Sequence, residues 1–188
     1  MIKKICLTVL VLAGCTQAGL RPDGGDRDSV ASVTPHYRPG EESKAGTPRT
    51  RAQAHTELGL QYFSAGNFAV ALDEARISLN HDAEYGPGYR LLALVHMALG
   101  ERPQALDAFQ TALRYSPNDP DINNDFGFFL CQEGREKEGL DRLMTAVKNP
   151  LYRTPGRAWT NAGLCHLRVR DDAAAANDFQ QAYSLDAT

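Results

Sequence analysis

Histidine and cysteine are the first residues to test for catalysis or metal binding in this 188-residue chain. No two histidines stand four residues apart and no His-Glu-x-x-His run occurs, so the sequence lacks the helical zinc site that this spacing builds. It also lacks a Gly-x-x-x-x-Gly-Lys phosphate loop and a Gly-x-Ser-x-Gly nucleophile elbow. We therefore predict no cofactor, no metal and no catalytic residue. The histidines are His36, His55, His81, His96 and His166.

Lipid attachment is the one chemistry that the N-terminus indicates. Lys3 and Lys4 precede a short apolar run and then small residues, which is the pattern of a secretory signal. The segment Leu12-Ala-Gly-Cys15 resembles a bacterial lipobox, which implies a signal peptide at 1–14 and acylation of Cys15. The alternative is a secretory signal that contains a cysteine by chance. Thr16 follows instead of the aspartate that favours inner-membrane retention, so we expect the periplasmic face of the outer membrane.

Composition divides the rest of the chain into a tether and a folded domain. Residues 15–50 are rich in Gly, Pro, Asp, Ser and Arg and show no periodicity, so they bury too little apolar surface to offset their chain entropy. We predict a lipidated flexible linker there and a folded domain at 51–188. The net charge of -3 comes without a basic stripe, which argues against nucleic acid as a partner.

The predicted domain repeats itself every 34 residues, which is the signature of tetratricopeptide repeats (TPRs), pairs of antiparallel helices A and B. Two series with this spacing are Gly59, Ala93 and Gly127, and Gly66, Gly100 and Gly134. Small residues in the first series let helices A and B approach, and glycine in the second can end helix A. We predict an all-α TPR solenoid, a right-handed superhelix of about four units. The units cover about 52–85, 86–119, 120–153 and 156–188, with a short insertion near 149–155.

The A helices of a TPR stack line its concave face, where side chains are candidates for binding. The positions that should face outward carry an apolar stripe with polar neighbours, which is typical of a protein interaction site. This surface fits an extended or helical peptide. The alternative is that these side chains only pack between neighbouring A helices. The predicted groove consists of Leu60, Phe63, Arg90, Leu94, Met97, Asn124 and Phe128.

Two cysteines of the domain fall on adjacent A helices in this scheme. Cys131 and Cys165 lack Cys-x-x-Cys spacing, which argues against a zinc site or a redox motif. A cysteine pair in an oxidising compartment suggests one disulfide. Two buried free thiols are the alternative.

Three stretches carry a narrower resemblance, namely Asn123–Gln132, Asn149–Pro155 and Asn161–Cys165. The asparagines before an aromatic-Gly helix, the Asn-Pro-Leu-Tyr-x-Thr-Pro insertion and both cysteines resemble the PilF/PilW family of type IV pilus biogenesis lipoproteins. The resemblance implies a pilotin role, in which the lipoprotein helps the pilus secretin reach the outer membrane and form its multimer. Members of that family generally carry about six repeats, so we expect that C-terminal units are absent here or that the sequence is incomplete.

These observations predict a non-enzymatic outer-membrane lipoprotein scaffold that binds a protein, either the pilus secretin or another pilus assembly component. A general periplasmic TPR adaptor in cell-envelope or outer-membrane protein assembly is the alternative. A third hypothesis is an enzyme, or an enzyme subunit with the repeats as its regulatory surface.

Overall fold

The computed structural model of the chain describes residues 46–186. Eight α-helices and no strands make up this part, which confirms the predicted all-α fold. The predicted signal peptide 1–14, the lipidation site Cys15 and most of the predicted linker 15–50 lie outside the described residues. The helices are α1 (Pro48–Ser64), α2 (Phe68–His81), α3 (Gly86–Ala98), α4 (Arg102–Tyr115), α5 (Pro120–Gln132), α6 (Glu136–Val147), α7 (Pro155–Arg168) and α8 (Asp172–Asp186).

The helices form four consecutive A–B pairs. Within each unit the A helix packs against its own B helix, as α1 does with α2 and α5 with α6. The A helices of neighbouring units also touch, so that α1 contacts α3, α3 contacts α5 and α5 contacts α7. One helical pair cannot bury its own apolar face, so stacked units share a core. This arrangement places α1, α3, α5 and α7 side by side.

Two glycines let the helices of the third unit approach closely. A Cβ atom added at Gly127 of α5 would lie 2.8 Å from the backbone oxygen of Gly139 in α6. One added at Gly139 would lie 2.7 Å from the backbone oxygen of Gly127. These distances are shorter than any ordinary carbon–oxygen contact, so the backbones occupy the space that a side chain would need.

Glycine in the left-handed conformation follows the first three A helices, as predicted. Gly66, Gly100 and Gly134 each have a φ of 76°. Arg170 takes the corresponding place after α7 with a φ of 59°, a conformation that costs a residue with a Cβ atom about 1–2 kcal/mol. The turn geometry of the repeat is therefore kept in the fourth unit without its usual residue.

The first helix begins earlier than composition indicates. α1 starts at Pro48, inside the segment predicted as linker and ahead of the predicted domain start at 51. The side chain of Thr47 accepts a hydrogen bond from the backbone N–H of Thr50 at 3.1 Å and so caps the helix. Proline at the first helical position loses no hydrogen bond. This cap and this proline add a first turn that the polar composition alone assigned to the linker.

Three aromatic rings pack against one another in the core. Phe109 of α4 lies with its ring centroid 5.2 Å from that of Phe126 and 5.5 Å from that of Phe129, both in α5. All three rings are buried. The second and third units are therefore joined by one aromatic cluster that reaches up to the A helices.

Candidate protein-binding groove

Four apolar side chains of the predicted groove are partly accessible on the A helices. Leu60 and Phe63 lie in the C-terminal half of α1, Met97 lies in the last turn of α3, and Phe128 lies in α5. Each of them is partly buried. Leu60, Phe63 and Met97 also pack against the buried core below them. These four residues are named the apolar strip.

Leu94 is a core residue and not part of the open surface. It is only 8% exposed and belongs to the same buried cluster as Phe129 and Leu130 of α5. The neighbouring A helix covers it, because α3 and α5 pack against each other. The prediction that Leu94 meets a partner is therefore corrected, since packing between A helices accounts for this residue.

A charged strip crosses the N-terminal ends of three A helices. Asp125 of α5 accepts hydrogen bonds from Arg90 of α3 at 2.6 Å and from Arg157 of α7 at 2.8 Å. An oxygen of Asp121 lies 3.8 Å from a nitrogen of Arg90 and 3.5 Å from a nitrogen of Arg157. One ion network thus joins the second, third and fourth units. Its four residues are named the charged strip, and they are Arg90, Asp121, Asp125 and Arg157.

Burial makes this network depend on complete pairing. The side chain of Arg90 is 12% exposed and that of Asp125 is 5% exposed, whereas Arg157 is half-exposed. Burial opposes the charge on Arg90, but the carboxylates of Asp125 and Asp121 outweigh it and raise the pKa of Arg90 above its ordinary value. A buried ion that lost its partner would be strongly destabilising. Arg90 was predicted as a groove residue, but its guanidinium group is engaged chiefly by Asp125 and Asp121 within the fold.

Asn124 supports the same network from inside the stack. It is fully buried, and its Nδ2 donates to Oδ1 of Asp125 at 2.8 Å. Its Oδ1 accepts a hydrogen bond from Nδ2 of Asn161 in α7 at 3.0 Å. The prediction that Asn124 faces a partner is corrected, because neighbouring side chains already engage both ends of its amide.

Asp125 is absent from the groove residues predicted above, although the sequence carries a signal for it. It stands 35 residues after Arg90 and 32 residues before Arg157, close to one repeat in each direction. Equivalent positions of successive A helices lie side by side in a solenoid. A carboxylate about one repeat away from an arginine on either side therefore indicates an ion network between units.

The two strips give the row of A helices one apolar side and one charged side. The apolar strip occupies the C-terminal halves of α1, α3 and α5, and the charged strip occupies the N-terminal ends of α3, α5 and α7. An amphipathic segment lying across the A helices could place apolar side chains on one strip and polar ones on the other. Arg157 and Asp121 are the exposed members of the charged strip.

The two cysteines of the domain lie side by side between the third and fourth units. Their Cα atoms are 5.5 Å apart and their sulfur atoms are close enough to bond. This Cα separation falls within the usual range for a disulfide. Both side chains are buried in one cluster with Leu143 and Ala158. The geometry fits a Cys131–Cys165 disulfide without any backbone movement, and the bonded state stays a prediction.

Reduction of the Cys131–Cys165 pair is expected to lower the free energy of unfolding by about 2–4 kcal/mol, because the crosslink restricts the unfolded chain. Urea unfolding with and without reductant measures this difference. The double variant Cys131→Ala/Cys165→Ala is the control, and reductant should leave its unfolding midpoint unchanged. Two freely alkylated thiols in protein isolated from an oxidising compartment would contradict the prediction.

Three of the described histidines each form a hydrogen bond with a carboxylate of their own repeat unit. None of these pairs adjoins another, since each belongs to a different unit. Among residues 46–186, no group of three His, Cys, Asp or Glu side chains is arranged to hold a metal ion. The pairs are His55 with Glu74, His96 with Glu101 and His166 with Asp178, at N–O distances of 2.5–2.7 Å.

No helix between residues 46 and 186 combines the length and the apolar character needed to cross a bilayer.

Known proteins share this repeat architecture. The tetratricopeptide repeat family model matches residues 87–119, which cover most of α3 and all of α4. The type IV pilus assembly protein PilF of Pseudomonas aeruginosa is 28% identical over 149 residues, which are 78% of this chain and 59% of PilF. The solved structure of that PilF matches with a TM-score of 0.70 and 27% identity, over 74% of this chain and 63% of PilF. The chain is a PilF/PilW-like tetratricopeptide repeat protein.

A second solved structure supports the fold of this PilF/PilW-like protein. The crystal structure of PilW, a widely conserved type IV pilus biogenesis factor, matches with a TM-score of 0.67 and 24% identity. The match covers 72% of this chain and 62% of PilW, and at this identity it shows the fold alone. Together with the PilF matches, this fold confirms the predicted TPR solenoid and the predicted resemblance. The PilF/PilW-like chain spans about three fifths of the length of these relatives.

Proposed function

We propose that this chain is a non-enzymatic scaffold in type IV pilus biogenesis, with a pilotin role toward the pilus secretin. The observation that carries the proposal is the similarity to the pilus assembly protein PilF over 149 residues. In this role the protein binds the secretin, helps it reach the outer membrane and promotes its multimer.

The contact surface in this proposal is the row of A helices. The apolar strip supplies partly accessible Leu, Phe and Met side chains, which adapt well to an apolar partner segment. The charged strip fixes the relative positions of α3, α5 and α7, so the surface is formed before the partner arrives. Preorganisation lowers the entropy cost of binding.

The attachment in this proposal is a lipid on Cys15. The lipobox-like segment that ends at this cysteine supports it, and several acyl chains would hold a protein stably in a bilayer. The polar segment after Cys15 would then act as a tether that lets the repeats reach a partner. We place the protein at the periplasmic face of the outer membrane.

Deletion of the gene is expected to remove most secretin multimers from outer-membrane fractions, as measured by immunoblot. The wild-type gene should restore them, and a Met97→Asp allele should not, because a carboxylate in the apolar strip opposes apolar docking. Leu99→Asp is the matched control, since Leu99 is exposed next to the C-terminal end of α3 and outside both strips. Circular dichroism of the purified variants checks that both remain helical.

The outcomes separate the parts of the proposal. Unchanged multimers and normal twitching after deletion would contradict the pilotin role. If the Met97→Asp allele restored the secretin multimers, the pilotin role would stand, but the apolar strip would not be its contact surface. Cross-linking that recovers cell-wall or outer-membrane assembly machinery, and no pilus component, would favour the general periplasmic adaptor.

A further inference from the structure

The insertion between α6 and α7 contains a turn whose conformation is fixed by hydrogen bonds of Asn149. Nδ2 of Asn149 donates to the backbone oxygen of Asn118, in the loop before α5, at 2.8 Å. Oδ1 of Asn149 accepts a hydrogen bond from the N–H of Leu151 at 2.9 Å. The backbone oxygen of Asn149 accepts another from the N–H of Tyr152 at 3.1 Å. The backbone of this turn is therefore held from both sides.

Two adjacent side chains of this turn differ in burial, because Leu151 lies in solvent and Tyr152 lies in the core. Tyr152 is buried in the cluster that contains Leu143 and both cysteines, and this burial raises the pKa of its hydroxyl. Leu151 is 84% exposed, the highest value among the large apolar side chains of the described residues. Single exposed leucines are common on protein surfaces. This one differs because its backbone is fixed and a concavity lies beside it.

The concavity next to Leu151 has a volume of about 420 Å³. Lys148 is the one charged residue in its lining, which otherwise consists of neutral side chains. A side chain placed there would lie beside Leu151, Pro150 and Lys148. The lining residues are Asn118, Thr145, Lys148, Asn149, Pro150 and Leu151.

We propose that the turn 149–152 is a second protein-docking site, separate from the A-helix groove, which takes an acidic and apolar segment of a partner protein. An apolar side chain of that segment fills the concavity against Leu151, and a carboxylate faces Lys148. Burial of leucine supplies most of the affinity, and the rim charge contributes mainly selectivity. The site rests on its own geometry and does not depend on the pilotin role.

Two other occupants fit the turn less well. One leucine side chain buries too little apolar surface to hold a protein on a bilayer. Pairing of two copies through this patch about a two-fold axis would bring the same surface together. The Lys148 of one copy would then lie near the Lys148 of the other, which is repulsive. An acidic partner segment avoids both problems.

The test uses a random peptide library displayed on phage. The library is panned on the purified full chain after clearance on the Leu151→Ser variant, and selected peptides are synthesised for affinity measurements. We expect enrichment of peptides that combine Asp or Glu with Leu or Phe. Leu151→Ser should weaken their binding about tenfold or more, since tenfold corresponds to part of the transfer free energy of one leucine. Lys148→Gln should weaken it about threefold, as expected for a rim charge.

Leu99→Ser is the matched control, because it removes an exposed leucine elsewhere and should leave peptide affinity unchanged. Equal binding of the selected peptides to wild type and Leu151→Ser would overturn the proposal, and so would enrichment of basic or wholly polar peptides. Sedimentation with phosphatidylglycerol vesicles that Leu151→Ser abolishes would assign the turn to a lipid surface instead. Concentration-dependent dimerisation that Leu151→Ser abolishes would assign it to a second copy. Either result would overturn the proposal even if the pilotin role stands.

Discussion

Replacement of Asp125 by alanine is expected to lower the free energy of unfolding by about 3–5 kcal/mol, the cost of leaving a buried ion without its partner. Asp125 binds Arg90 at 2.6 Å and Arg157 at 2.8 Å and also accepts a hydrogen bond from Asn124. Arg157 can turn to water, but Arg90 lies within the stack and cannot. Urea unfolding followed by circular dichroism measures the change.

Asp121→Ala is the matched control for this prediction. Asp121 approaches the same two arginines at 3.8 Å and 3.5 Å, yet it is 43% exposed. Its removal is expected to cost below about 1 kcal/mol, the usual range for exposed ion pairs. Equal effects of the two alanine variants would show that burial of Asp125 does not govern the network.

Replacement of Gly127 by valine is expected to destabilise the fold by about 3–5 kcal/mol, at or above the upper end for overpacking a core. A Cβ atom there would lie 2.8 Å from the backbone oxygen of Gly139 and 3.1 Å from the backbone nitrogen of Leu143. Backbone atoms cannot rotate aside as a side chain can, so α5 and α6 must separate. Their separation would also disturb Cys131 and the charged strip on α5. The shift of the thermal and urea midpoints measures the effect.

The variant Gly134→Ala is the control that separates the free-energy cost of steric crowding from that of an unfavourable backbone conformation. Gly134 has a φ of 76° and no atom within 4 Å of an added Cβ, so alanine there meets open space. Its cost is expected to be about 1–2 kcal/mol, from the left-handed conformation alone. A Gly127→Val variant no less stable than Gly134→Ala would contradict the close approach of α5 and α6.

Both predictions concern the third unit, which carries the two carboxylates of the charged strip and one cysteine of the predicted disulfide. The charged strip joins α5 to α3 and to α7, and the predicted disulfide joins α5 to α7 a second time. A solenoid is held by contacts between neighbouring units, so these connections fix the angle between the second, third and fourth units. A groove of fixed shape binds with less loss of conformational entropy than one that must be ordered by its partner.

The repeat phase could be predicted from the sequence because it depends on local requirements. A glycine is needed where helix A ends in the left-handed conformation, and Gly66, Gly100 and Gly134 satisfy this at a fixed spacing. Small residues are needed where A and B helices touch, and Gly127 and Gly139 meet that need. α1 begins at Pro48, ahead of the predicted domain start at 51, because one threonine cap and one proline extend the helix into a polar segment.

The groove could be predicted only in part. Periodicity placed Leu94 and Met97 on the same face of α3, and both do lie toward the neighbouring A helices. Leu94 is buried in the cluster with Phe129, whereas Met97 near the helix end stays partly open. Their different burial depends on the side chains of α5, which the pattern within α3 does not contain.

The sequence by itself determined the number of described units, their helix pairs and the glycines at their closest contacts, because turns and helix faces follow from nearby residues. Tertiary structure decided which side chains of one helix face remain open and which are covered. It also shows that Arg90 and Asn124, predicted as ligand contacts, form hydrogen bonds with Asp125. The physical reason is that burial and ion pairing depend on the distance between neighbouring A helices, and stacking alone sets that distance.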